Sequence, residues 1–398
     1  VTIGPSPEDE PVAEGTRAVA TAAKGNLLTT LVAMLWLYGG RGVGMLWTVV
    51  LLSQLGVSDY GLYGMAFALS AVIGPPLDNP YVVRSMRESE ERFVAERASR
   101  FLVGLTLVAA GTALVGVSYI AWFGLTVAGG EIAYKSYSSR FARDGKADRV
   151  WRLDSIRQVV SVALACVYLF GVDHPTLLGA SALYVAPYYV ILVLAALEAR
   201  GHRPQLPGPP RLTLALVGEM LGTALYLQGD VLLLGFLTDS RTAGYYTLCW
   251  TVAAALAAVG QSFGMTYHEP LRLSGGKLSS GPPLKLTLAI GGLSTAAVAI
   301  FGVVLLLTPA PTELAVAMII ISLFTGMRTM ISILQVILYA QRRDILRLTA
   351  NMGLVPVKLG AVAALAPIGA VGASIASVGA DAILLAIYAT AIYRKPTT

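Results

Sequence analysis

The chain has 398 residues, 56% of them hydrophobic and only 13% charged, where a soluble domain carries about 25% charged residues. That balance excludes an ordinary water-soluble protein and points to an all-α integral membrane protein with many spans. The formal charge of +6 follows from where the cations sit, and nucleic-acid binding is not needed to explain it.

Residues 1–24, with Glu8, Asp9, Glu10 and Glu14, read as a polar tail and not as a cleaved signal peptide. The first span, Leu27–Leu52, is apolar except for Arg41 at its middle, among Gly39, Gly40, Gly42 and Gly44. A guanidinium stays charged, and at bilayer mid-depth it costs at least ~2.5 kcal/mol. A bent helix presenting Arg41 to a central cavity is one reading; snorkelling or a structural ion pair is the other. Further apolar segments lie at 60–83, 101–121, 122–142, 155–171 and 176–197, then at 212–237, 243–267, 286–308, 313–338, 346–366 and 370–392. The fourth is the most polar, with Glu131, Lys135 and Arg140.

Loop charge supports twelve spans. In that arrangement 24 of the 29 cations fall on one side and only Arg241 in a loop on the other. The positive-inside rule then makes both termini cytoplasmic. The organisation expected is a tail (1–24), a six-helix bundle (25–199), a linker (200–211) and a second six-helix bundle (212–398). An internal repeat agrees: LLSQLGVSDYGLY (Leu51–Tyr63) recurs as LLGFLTDSRTAGYY (Leu233–Tyr246), and LGASAL (Leu178–Leu183) as VGASIA (Val371–Ala376). Six spans separate the copies, so they point the same way, about an axis along the membrane normal.

Signatures of catalysis are missing from the sequence. His174, His202 and His268 lack metal-ligand spacing, no Walker loop exists, and Cys166 and Cys249 lie in apolar runs where they pack as small hydrophobes. The outer acids Asp59, Asp173, Asp239 and Glu313 suit helix capping. No enzyme and no cofactor is expected, apart from a coupling proton or sodium ion. What remains is charge at membrane depth. Arg41, Lys135, Arg328 and Lys358 could together hold an anion such as a phosphate or diphosphate. Thr325, Arg328, Ser332 and Gln335 share one helix face, as a hydrated cavity wall would. Pro356 could kink its helix and turn Lys358 inward. Asp230, Asp381, Glu131 and Glu219 are candidates for ion coupling or charge pairing, and Glu131 with Lys135, four apart, could pair along their own helix.

Arg41, then LG-x-x-x-YG-x-Y (Leu55–Tyr63) and Arg84, and in the second half Asp230 with LLLG, AGYY (Ala243–Tyr246) and Pro270, give the chain a resemblance to Wzx-type polysaccharide flippases. These belong to the MOP superfamily, with the MATE multidrug exporters and MurJ. The resemblance implies twelve helices in two six-helix bundles, a central cavity and alternating access. It implies a monomer in the bacterial cytoplasmic membrane. That monomer would move a polyprenyl-(pyro)phosphate-linked sugar to the outer leaflet, alongside membrane lipids and polysaccharide assembly enzymes. A MATE-like drug/cation antiporter is the alternative, and a membrane glycosyltransferase or polymerase a more distant one. Two departures stand out: the third and fourth spans share only about 42 residues, which suggests a trimmed corner, and the sequence stops at the twelfth span, where MurJ has two more.

Overall fold

The computed structural model describes residues 10–85 and 88–394; within it the side chains of residues 10–35, 37, 38, 41 and 147 lie outside the described residues. All long elements are helices, as a bilayer demands: with no water to bond, backbone N–H and C=O groups must pair within the segment. In chain order these are α1 (10–55), α2 (57–85), α3 (Glu90–Ala113), α4 (Tyr119–Arg143), α5 (Ala147–Gly171) and α6 (Leu177–Ala199). Then come α7 (Pro210–Leu237), α8 (Ser240–Met265), α9 (Leu284–Leu306), α10 (Thr312–Ala340), α11 (Asp344–Leu365) and α12 (Ala370–Tyr393). A short helix, His268–Leu273, precedes α9. The twelve long helices match the number of spans read from the sequence.

Several expectations need correction. The first helix begins at Glu10, so the described part of the tail is helical. It does not break at the glycines around Arg41. The break falls at Gly56, whose φ of 82° and ψ of 177° suit only glycine. Gly40 and Gly44 instead admit α5: a Cβ would stand 3.0 Å from the Ser155 hydroxyl and 2.7 Å from the Gln158 amide respectively. The third span starts at Glu90 and not near 101, so α3 and α4 are full-length helices and the corner is not trimmed. Hydropathy hid it because Glu96 and Arg100 are buried through ion pairs and not through apolar character.

Buried side chains gather in separate clusters. One holds Trp47, Tyr60, Tyr63, Trp122, Phe123, Tyr184 and Tyr188 from α1, α2, α4 and α6. Trp47 stacks on Tyr184 with ring centroids 5.6 Å apart. Another centres on α10, with Met318, Ile321 and Phe324 against Tyr246, Cys249 and Ala373. Small residues let helices approach where packing alone must hold them. A Cβ on Gly104 of α3 would lie 2.7 Å from the Gly129 carbonyl of α4, and one on Gly326 of α10 equally close to that of Gly291 of α9.

The two copies of the first repeat meet each other. Ser58 and Ser240, equivalent in the repeat, share a 2.6 Å hydrogen bond. Just beyond them α2 and α8 cross so tightly that a Cβ at Gly61 would overlap the Ser240 carbonyl and stand 2.7 Å from the Gly244 nitrogen. Gly61 and Gly244 are also repeat equivalents. Contacts between like residues are what a two-fold axis passing between α2 and α8 produces. Segment 200–209 runs across the opposite, basic face. There the Gln205 N–H donates to the Ala95 carbonyl at 3.1 Å, and Ser99 donates to the Gln205 carbonyl at 2.5 Å.

Candidate functional site: two buried charge networks

In the C-terminal half, α7, α10, α11 and α12 bring two acidic and two basic side chains into the interior. Asp230 and Asp381 are wholly buried and Lys358 is 1% exposed. Lys358 Nζ lies 2.6 Å from Asp230 Oδ2 and donates to the Tyr226 carbonyl at 2.7 Å. Asp230 also accepts from the Tyr246 hydroxyl at 2.5 Å and from Ser377 at 3.2 Å. The Arg328 guanidinium donates to Asp381 Oδ1 at 2.6 Å, and so does the Tyr226 hydroxyl at the same distance. Tyr226 stands between the two pairs, its ring 5.1 Å from Lys358 Nζ and 5.2 Å from the Arg328 guanidinium carbon. Lys358, expected to turn inward through a kink at Pro356, is buried in a helix that runs unbroken through that proline.

One edge of this network is accessible. α10 is buried over most of its surface, yet Arg328, Ser332 and Gln335 remain half-buried along one face. Thr325, the fourth member of the stripe read from the sequence, is wholly buried. Asp381 Oδ2 and Arg328 Nε are buried without a hydrogen-bond partner among the described residues. Such atoms carry a desolvation cost of about 1–3 kcal/mol or more, and mark a place for water, a proton or an ion.

The N-terminal half holds a second network. Asp78 of α2 sits 2.6 Å from Arg100 of α3 and 3.3 Å from Lys135 of α4. Glu131 of α4 lies 3.0 Å from Arg157 of α5 and accepts from the Tyr188 hydroxyl at 2.6 Å. Arg157 also bonds Asp154 at 2.6 Å and Tyr188 at 2.6 Å. The pairing of Glu131 with Lys135 along α4 is therefore not formed. Each takes a partner from a neighbouring helix: Glu131 a guanidinium, and Lys135 a carboxylate that Arg100 also contacts.

Of the residues read from the sequence, Arg328, Lys358, Asp230 and Asp381 form one constellation, and Lys135 and Glu131 belong to another. Glu219 is exposed on α7 and makes no ion pair among the described residues. The Arg41 side chain lies outside the described residues. Sequence reasoning missed Arg100 and Arg157, which it placed on the basic loop side, and it passed over Asp154, Tyr188, Tyr226 and Tyr246. The signal was there in part: Asp78 and Glu131 could not be buried alone, so each required a cation on a helix packed against it.

Comparison with solved structures gives a consistent result. The chain resembles the lipid II flippase MurJ in an inward closed conformation, with a TM-score of 0.63 and 12% identity over 93% of this chain and 88% of that one. The fold is that of the MOP transporters. An outward-facing multidrug resistance MATE transporter of the MOP superfamily matches with a TM-score of 0.59 at 12% identity, over 90% of this chain and 93% of that one. A MOP superfamily transporter from Pyrococcus furiosus Vc1, described by a reversed polarity of its binding pocket, matches at 0.55 and 12% identity, over 92% and 95%. No family model and no curated protein sequence matches the chain.

Proposed function

We propose that the protein is an alternating-access secondary transporter of the bacterial cytoplasmic membrane, exchanging protons or sodium ions at its buried carboxylates for an amphipathic organic substrate with a cationic group. One observation carries this reading. Arg328 and Lys358 are each held by a carboxylate at 2.6 Å, so among the described residues the C-terminal half offers no open cationic pocket. Paired charges of this kind are costly to strip and are kept where their rearrangement does work. Asp381 is the carboxylate best placed to change state, because its second oxygen is unpartnered beside the accessible face of α10. A proton or sodium ion there loosens the Arg328 bridge, and the helices it joins, α10 and α12, are free to shift. The solved multidrug transporters of the same fold support an exporter. Positive loops then fix both termini on the cytoplasmic side.

The deciding experiment reconstitutes the purified chain in liposomes and imposes a pH or a sodium gradient in turn. Movement of ethidium against its gradient under at least one of them, lost in Asp381→Asn, is the expected result. Absence of transport under both gradients overturns the proposal.

A second reading keeps the polyprenyl-(pyro)phosphate-linked sugar as cargo. The partly accessible Arg328, its Nε unpartnered, favours it: once Asp381 is protonated, a free guanidinium faces the same stripe and could hold a phosphate. The lipid II flippase MurJ has the same fold. Protection of a fluorescent polyprenyl-diphosphate sugar from an impermeant quencher separates the readings, since only a flippase moves the label between leaflets.

A further inference from the structure

In the N-terminal network described above, three acids and three bases are matched in number but not in position. Asp78 is contacted by both Arg100 and Lys135, which leaves a positive charge in excess at that corner. Glu131 and Asp154 share the single guanidinium of Arg157, which leaves a negative charge in excess at the other. Glu131 and Lys135 are one turn apart on one face of α4, where such side chains are neighbours with Cβ atoms about 6 Å apart. The two corners therefore form a fixed dipole across one helical turn.

Accessibility sorts the six groups into a frame and a receptor. The side chains of Asp78, Arg100 and Arg157 are 3%, 5% and 8% exposed, whereas those of Lys135, Glu131 and Asp154 are 40%, 33% and 28% exposed. Glu131 stands at the midpoint of α4, where a partly exposed carboxylate needs water and not lipid beside it. Its Oε1 is taken by Tyr188 and Arg157, and Asp154 Oδ1 by Arg157. Among the described residues Glu131 Oε2 and Asp154 Oδ2 accept nothing, and Lys135 Nζ spends one donor on a long 3.3 Å contact. Two carboxylate oxygens, on α4 and α5 and joined through Arg157, and the ammonium of α4 are thus left open, each on a buried support.

We infer that this face of α4 binds a zwitterion, a phosphate group on Lys135 and a substrate ammonium on Glu131 and Asp154. The chemical class is an aminoalkyl phosphate, free or as a lipid headgroup. An α-amino acid does not fit, because its two charges flank a single carbon and cannot span the turn. A simple anion meets the two carboxylates, and a simple cation meets Lys135, so either alone gains half of the site and is repelled by the rest. The inference rests on the transport reading above and narrows its substrate.

The test uses binding, so that it can fail independently of transport. The full chain in phosphatidylglycerol nanodiscs, which lack zwitterionic heads, is titrated with phosphoethanolamine, inorganic phosphate, ethanolamine and lysophosphatidylethanolamine, read by melting temperature and tryptophan fluorescence. Phosphoethanolamine should bind about tenfold or more tightly than either half alone, the effect of one added charge-assisted contact. Lys135→Gln and Glu131→Gln should each remove that advantage, and Lys135→Arg should keep it. Tighter binding of the lysolipid assigns the site to a lipid headgroup; equal binding assigns it to a free solute. Equal affinity for phosphoethanolamine and phosphate in the unaltered protein overturns the inference, whatever the variants do, and leaves gradient-driven transport standing. Zwitterion binding without transport would do the reverse.

Discussion

Asp230 and Lys358 show what a buried ion pair demands of its surroundings. Lys358 uses the Tyr226 carbonyl as well as the carboxylate, and Asp230 collects Tyr246 and Ser377, so nearly every lone pair and proton is used. Removing one member leaves an uncompensated buried charge, which costs about 3–5 kcal/mol, whereas removing both need not. Asp230→Asn or Lys358→Met alone should lower the melting temperature in detergent sharply, and the double variant should recover most of the loss. Additive losses would mean that the pair is not coupled. Asp239 is a simpler residue. It caps α8 by accepting from the Arg241 and Thr242 N–H groups at 2.8 and 2.9 Å. Those N–H bonds, Thr242 foremost, hold its carboxyl below the ordinary 3.8. A depressed carboxyl stabilises the fold above that ordinary value, and the contribution is lost as pH falls through the lowered one. Asp239→Ala should cost about 0.5–2 kcal/mol at neutral pH, with the difference from the unaltered protein closing in strong acid, as thermal melts across pH would record.

Between elements, the crossing of α2 and α8 is the contact that the proposed alternating access would have to break. It lies on the face opposite the basic loops, and its glycines bring the two backbones together beside the Ser58–Ser240 hydrogen bond. Ser58 and Ser240 are close enough for a disulfide after Ser58→Cys and Ser240→Cys, since their hydroxyls are 2.6 Å apart. Oxidation should arrest transport and reduction should restore it; undiminished transport by the oxidised protein would show that this seam need not open. Gly61→Leu should block closure instead, because a Cβ there already overlaps the Ser240 carbonyl. Residues that pack this tightly have no hydropathy signal. The sequence repeat around them was legible, but not that the two copies touch.

For the whole molecule the number and order of helices were legible, and the site was legible only in part. Nine described helical stretches are long and apolar enough to cross a membrane, α1 and α2 being counted in one of them; α3 and α4 are the helices too polar to qualify. Those two carry Arg100, Glu131 and Lys135, so hydropathy fails where charge is concentrated. Topology is checked by labelling with an impermeant thiol reagent: His202→Cys in the segment 200–209 should react only from the cytoplasmic side, and Arg241→Cys only from outside. The reverse pattern would invert the assigned orientation.

Composition and period settled that the chain is a helical membrane protein, because a bilayer leaves long apolar runs to pair their backbone groups within a helix. Which charges meet was decided in three dimensions. Glu131 and Lys135 are neighbours in sequence yet bond to Arg157 and Asp78 on other helices. A carboxylate in a low-dielectric interior takes the cation that packing brings to it, and packing is set by small residues far apart in the chain. The sequence supplied an inventory of charges; only the assembled helices determined which of the described ones meet.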